Sequence, residues 1–185
     1  VSEIRVGIFT IKEKWELYLK EEVDIRTKGY LSHKFSSNDR SGDIGISASF
    51  MPNDGIIEAI NDIGDNQIIV CKGKLLAVNP MPEADENLES YFDDFSKVEY
   101  NGHVNQIERP WDIFKVNGDE IKSDFKFIDR DKVIGEDGEA NQFIKKEDVF
   151  IEHGAKVSGA FFNAENGPIY IAKDAEVMEG SLIRG

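Results

Sequence analysis

The sequence is poor in residue types that announce a chemistry. It holds one cysteine, Cys71, in 185 residues, so no internal disulfide can form, which fits a reducing, cytoplasmic setting. No apolar run approaches the roughly 20 residues that span a bilayer, and no signal peptide opens the chain. Basic residues are outnumbered, 22 Lys and Arg against 36 Asp and Glu for a net charge of −14. They form no cluster that would track a phosphate backbone, so nucleic acid and anionic membranes are excluded as partners. The three histidines, His33, His103 and His153, are scattered with no pair at metal-ligand spacing, which argues against zinc. No G-x-S-x-G element or Cys/His pairing argues for covalent hydrolysis, and no G-x-G-x-x-G or P-loop occurs. An acidic chain can still handle an anionic nucleotide when a divalent cation supplies positive charge locally.

What is present is enough for a core. Hydrophobic residues make up 40% of the chain and include twelve Phe, and the length suits one ordinary domain or a compact domain with a small second module. Ile8, Ile11, Trp15 and Leu19 recur at helical spacing and predict a helix over about residues 7 to 20, with Ser2 and Glu3 at its start. "GDIGISASFMPNDGIIEAINDI" reads as a strand from Ile44 to Phe50, a turn at Pro52-Asn53-Asp54-Gly55 and a helix through Ile56, Ile57 and Ile60. "QIIVCKGKLLAVNP" reads as a hairpin turning at Lys72-Gly73-Lys74. Met81 to Asp94 is dense in acid and reads as a solvated loop or short surface helix. Trp111, Phe114, Ile121 and Phe125 share one helical stripe, with Gly118 weakening the middle of that helix. "DRDKVIGEDGEANQF" then reads as a linker.

Past the linker the period changes. From Ile151 the chain divides into hexads led by Ile151, Val157, Ile171, Val177 and Ile183, with "NAENGP" and two extra residues, Ile169 and Tyr170, interrupting. Ala155, Ala175 and Ser181 fill the fifth place, where a small side chain lets the backbone turn a corner. Hexapeptide repeats of this kind wind a parallel β-helix, stacking the leading aliphatic side chains inward from turn to turn. The predicted fold class is therefore α/β: an α/β domain over 1–146, then the first coils of a parallel β-helix over 147–185. The start at Val1 and the stop within the hexad pattern predict that the natural chain continues on both sides.

With this ending, "SEIRVGIFTIKEKWE", "FMPNDGIIEAI" and "ERPWDIFKVNGDEIKSDF", the chain resembles a bacterial sugar nucleotidyltransferase family. Its members are similar to the bifunctional UDP-N-acetylglucosamine diphosphorylase and glucosamine-1-phosphate acetyltransferase. The resemblance covers nearly the whole chain. It implies a nucleotidyltransferase-like, Rossmann-like fold for the domain over 1–146 and a left-handed β-helix over 147–185, transfer between a nucleoside triphosphate and a sugar 1-phosphate with Mg²⁺, a trimer built on the β-helix, and acetyl-CoA as a second cofactor for the C-terminal module. The family's phosphate-binding loop would lie upstream of Val1, and its acetyl-transfer residues beyond Gly185.

Nucleotidyl transfer needs oxygen ligands for a cation and positive side chains for the transferred phosphate. Asp112, after Trp111, is the candidate metal ligand and catalytic carboxylate, and Arg5 is the second candidate catalytic residue. Arg109 and Asn117 are candidate substrate contacts, as is Asn53 at the strand's C-terminal end, where open α/β sheets bind ligands. Each has an ordinary alternative: a helix-start aspartate, surface arginines in ion pairs, a polar helix residue, a turn asparagine. "ISASFMP" lacks the aspartate that related enzymes carry near that edge. Two other functions stay open, an acyltransferase with a non-catalytic N-terminal domain and a degenerate sugar-nucleotide-binding scaffold.

Overall fold

The structure is a computed structural model that describes residues 1–27, 29–31, 43–82, 91–129 and 140–185. His33 and most of both the acidic loop and the linker lie outside these residues. The described chain forms two compact units, Val1–Arg5 with Phe9–Ile113, and Val6–Ile8 with Phe114–Gly185.

Two short strands, β1 (Arg5–Val6) and β2 (Phe9–Thr10), flank a turn at Gly7 and lead into helix α1 (Ile11–Leu19). The helix starts four residues later than its periodicity predicts, and Ser2 and Glu3 do not start it. Gly7 sits at φ +77°, outside helical space. Thr10 is the true N-cap: its side chain accepts from Glu13 N–H while Glu13 Oε2 accepts from Thr10 N–H at 2.7 Å, a reciprocal capping box. Lys20 ends the helix in the left-handed region.

The sheet of the first unit has four strands in the order β3-β5-β4-β6: β3 (Gly45–Ile46), β4 (Gln67–Cys71), β5 (Lys74–Asn79) and β6 (Ser96–Glu99). β4 and β5 form the predicted antiparallel hairpin. Lys72 (φ 50°) and Gly73 (φ 76°) both lie in the left-handed region, the turn geometry that matches strand twist. β6 joins β4 in parallel, and β3 joins β5 antiparallel. β3 is much shorter than the predicted strand. After Ser47 N–H bonds Leu76 C=O the chain turns, with Phe50 N–H returning to Ser47 C=O and the Ser47 and Ser49 hydroxyls in contact at 2.9 Å. Helix α2 (Asp54–Asn61) follows as predicted and buries Ile56 and Ile60. Trp15 is 3% exposed and donates its indole N–H to Phe50 C=O at 3.2 Å.

The second unit contains most of helix α3 (Asp112–Asp124) and seven strands: β7 (Gln142–Ile144), β8 (Val149–Ile151), β9 (Lys156–Val157), β10 (Phe161–Asn163), β11 (Ile169–Ile171), β12 (Glu176–Val177) and β13 (Leu182–Arg184). They pair in parallel as three ladders, β7-β10-β13, β8-β11 and β9-β12. Phe161 faces Gln142 on one side and Leu182 on the other, so successive layers lie 19 and 21 residues apart. Ile151 stacks on Ile171 and Val157 on Val177. The five hexad leaders enter one apolar cluster, Ile151, Val157 and Ile171 as buried members and Val177 and Ile183 packed against it. Phe162, fully buried, stacks on Phe143 at 5.2 Å between ring centroids.

The corners close where small side chains were expected: Ala155, Ala175 and Ser181 donate N–H to the carbonyls of Glu152, Ala172 and Met178. The insertion is placed differently from the hexad reading. Ile169 is a buried core residue of β11 rather than an extra one. The added length sits before it in residues 164–168, where Asn163 Oδ1 accepts from Glu165 N–H at 2.9 Å.

Candidate functional site

The sequence Glu108-Arg109-Pro110-Trp111-Asp112 forms a tight turn that opens α3. Asp112 N–H donates to Arg109 C=O at 2.9 Å, with Pro110 at the position whose fixed φ favours such a turn. The Asp112 carboxylate reinforces it, since Oδ2 accepts from Arg109 N–H at 2.9 Å and from Glu108 N–H at 3.2 Å. Glu108 in turn forms an ion pair with Lys74 on β5, tying the turn to the central hairpin. Arg109 and Asp112, two of the five expected site residues, are thus brought together. The Arg109 guanidinium lies 5.4 Å from the centroid of the Trp111 ring. Among the described residues no carboxylate pairs with it.

Asn53 caps α2. Its Oδ1 accepts from Ile56 N–H at 2.9 Å and its Nδ2 donates to His103 C=O at 2.8 Å. The Tyr100 hydroxyl donates to the same Oδ1 at 3.4 Å. It fits there because Gly55 and Gly102 leave room: a Cβ on Gly55 would lie 2.7 Å from the hydroxyl oxygen, and one on Gly102 would collide with it. Burial is the main cause that pushes the Tyr100 phenol above its usual 10.0, followed by the nearby Cys71 and Glu58. Arg5 is exposed on β1.

Asn117 lies in the second unit. Its Oδ1 accepts from Gly7 N–H at 2.8 Å, and about two helical turns later Asp124 Oδ2 accepts from Ile8 N–H at 2.7 Å. The buried residues of α3 are Glu120 and Asp124, while Trp111 is 53% exposed and Phe114 85%. Of the expected apolar stripe, Trp111 and Phe114 therefore do not pack, whereas Ile121 is half-buried and Phe125 meets Phe150 edge-on at 4.9 Å. The helix meets a turn of backbone amides, and acceptors serve it where apolar side chains would leave N–H groups unpaired. Asp124 was missed in the sequence because a buried carboxylate has no periodic signature. The nearest signal is "RVGIF", whose glycine lies among apolar neighbours.

Among the described residues no group of three or more His, Cys, Asp or Glu side chains is arranged to hold a metal. Asp112, whose Oδ2 accepts from the Glu108 and Arg109 amides, is the carboxylate of this turn that could contribute one oxygen to a cation. Also among the described residues, no helix is long and apolar enough to cross a membrane. Compared with known families, residues 1–133 match the family model described as sugar nucleotidyl transferase. No curated protein matches the chain.

Proposed function

The chain belongs to the sugar nucleotidyl transferase family, and on that premise we propose that it joins N-acetylglucosamine 1-phosphate to UTP, giving a UDP-sugar and pyrophosphate. Family membership implies a transferase whose substrates are a nucleotide and a sugar phosphate. In the proposed step a phosphate oxygen of the sugar 1-phosphate attacks the α-phosphorus of the triphosphate. The bond from that phosphorus to the bridging oxygen breaks, and pyrophosphate leaves with the electron pair. Arg109 and Arg5 supply positive charge for the phosphates and Asp112 is assigned as the catalytic carboxylate, while Asn53 and, in the second unit, Asn117 stand each on its own as candidate substrate contacts. Mg²⁺, held through Asp112 when bound, neutralises triphosphate charge. The observation that carries the reading is the family match over 1–133.

The ladders of the second unit support a further element of the proposal. Layers 19 to 21 residues apart around one apolar cluster are read as opening coils of a left-handed β-helix, whose first strand, β7 at Gln142–Ile144, lies ahead of the expected module boundary at 146/147. To that module we assign kinship with the bifunctional acetyltransferases, acetyl-CoA binding and assembly as a homotrimer, in a cytoplasmic protein. Pyrophosphate release measured across pairs of nucleoside triphosphates and sugar 1-phosphates tests the transferase reading. Turnover with UTP and N-acetylglucosamine 1-phosphate is expected, and silence across every pair removes it. Acetyl-CoA binding without nucleotide turnover would instead favour the acyltransferase alternative.

A further inference from the structure

The chain has two tryptophans with opposite fates. Trp15 is 3% exposed in the core, whereas Trp111 is 53% exposed. An indole left in water forfeits the burial that usually justifies so large an apolar side chain. The backbone that carries Trp111 is nevertheless held by hydrogen bonds. It sits in the Glu108–Asp112 turn, which the Asp112 carboxylate closes from within and the Lys74–Glu108 ion pair ties to β5. The Arg109 guanidinium is held over the indole at 5.4 Å, and no carboxylate among the described residues neutralises it. The turn thus presents a half-exposed indole and, 5.4 Å from its centroid, a cation that no carboxylate among the described residues neutralises, two features of a ligand contact.

We propose that Trp111 and Arg109 form the subsite for the sugar 1-phosphate, the indole taking the apolar face of the pyranose and the guanidinium its phosphate. The assignment rests on the nucleotidyltransferase reading above and deepens it. The short separation of ring and guanidinium decides between the two substrates. A sugar 1-phosphate carries its phosphate on a ring carbon, so one small molecule meets both groups at once. In a nucleoside triphosphate a ribose separates the base from the first phosphate, so a base stacked on Trp111 would hold its phosphates away from Arg109. The arginine's fork also matches phosphate oxygens in pairs, which a lysine cannot do.

Emission from Trp111, isolated as the difference between the full chain and its Trp111→Phe variant, is followed during titration with N-acetylglucosamine 1-phosphate, N-acetylglucosamine, inorganic phosphate and UTP. The sugar 1-phosphate is expected to give a saturable change that the variant lacks. Calorimetry is expected to show affinity for it falling at least about tenfold in Trp111→Ala and less in Trp111→Phe, which keeps an aromatic face. Arg109→Gln should weaken the sugar 1-phosphate while leaving the unphosphorylated sugar unchanged. The proposal is overturned if UTP or inorganic phosphate alone produces the Trp111 response, or if Trp111→Ala binds the sugar phosphate as the parent does. A Trp111 response to sugar 1-phosphate without transfer in any pair upholds the subsite and removes the enzyme reading. Transfer with an unchanged sugar-phosphate KM in Trp111→Ala does the reverse.

Discussion

Ile8 donates its backbone N–H to Asp124 Oδ2 at 2.7 Å across 116 positions of sequence, and the accepting side chain is 1% exposed. Truncating Asp124 to Ala strands that amide away from water, so Asp124→Ala is expected to lower unfolding free energy by about 2–3 kcal/mol in urea titration. Asp124→Asn keeps an acceptor and should lose less. Gly7→Ala attacks the same junction from the other side. Its φ of +77° disfavours a side chain, and the new Cβ would collide with Asp124 Oδ2 and lie 2.9 Å from the backbone carbon of Glu120. It should destabilise at least as much as Asp124→Ala.

Gly118 lies exposed in the middle of α3, with nothing within 4 Å of the Cβ it lacks apart from its chain neighbours and the helix's own backbone. Its φ is not in the left-handed region. Gly118→Ala should therefore stabilise by about 1 kcal/mol through helix propensity alone, read as a higher melting temperature with activity unchanged.

Tyr100 sets an alkaline limit on the first unit. Burial raises its phenol above 10.0 in the folded chain, so the folded state favours the neutral form. Stability is then fully present below pH 10 and declines as pH climbs through the raised value, because the unfolded chain releases the proton first. Melting temperatures taken between pH 8 and 11 should fall above pH 10 in the parent and fall less in Tyr100→Phe.

Asp112→Asn separates two roles of one carboxylate. The amide oxygen still accepts from Glu108 and Arg109 N–H, so the turn and the melting temperature should be kept, whereas the negative charge is gone. Under the proposed function, pyrophosphate release should drop by two or more orders of magnitude, about 3 kcal/mol or more of barrier. Unchanged turnover would make Asp112 a turn residue only.

How much was legible depends on whether local chemistry or a distant partner decides. Lys72-Gly73 specifies its hairpin and Asn53 its helix start, because each acts on backbone within a few residues. The hexad leaders were legible as one cluster because stacking repeats the same demand at Ile151, Val157, Ile171, Val177 and Ile183. α3 was misread at Trp111 and Phe114 because apolar periodicity presumes an apolar partner, and this helix meets the amides of Gly7 and Ile8 more than a hundred positions upstream. Of the candidate site, "ERPWD" was legible as a unit, whereas the placing of Arg109 over Trp111 depends on the turn that Asp112 closes.

The ladders also dictate which changes of length their segment absorbs. Inward and outward side chains alternate along each strand, so deleting one residue within β10 would send the Phe162 position to the solvent side and break its stack with Phe143. Losing or duplicating a whole layer, about twenty residues, would instead keep every side chain on its own side. Odd lengths have one natural outlet, the turn at 164–168, where Glu165 and Asn166 stand exposed between β10 and β11. Changes of length in this part of the chain are therefore expected to be tolerated by whole layers, with that turn as the place for odd residues.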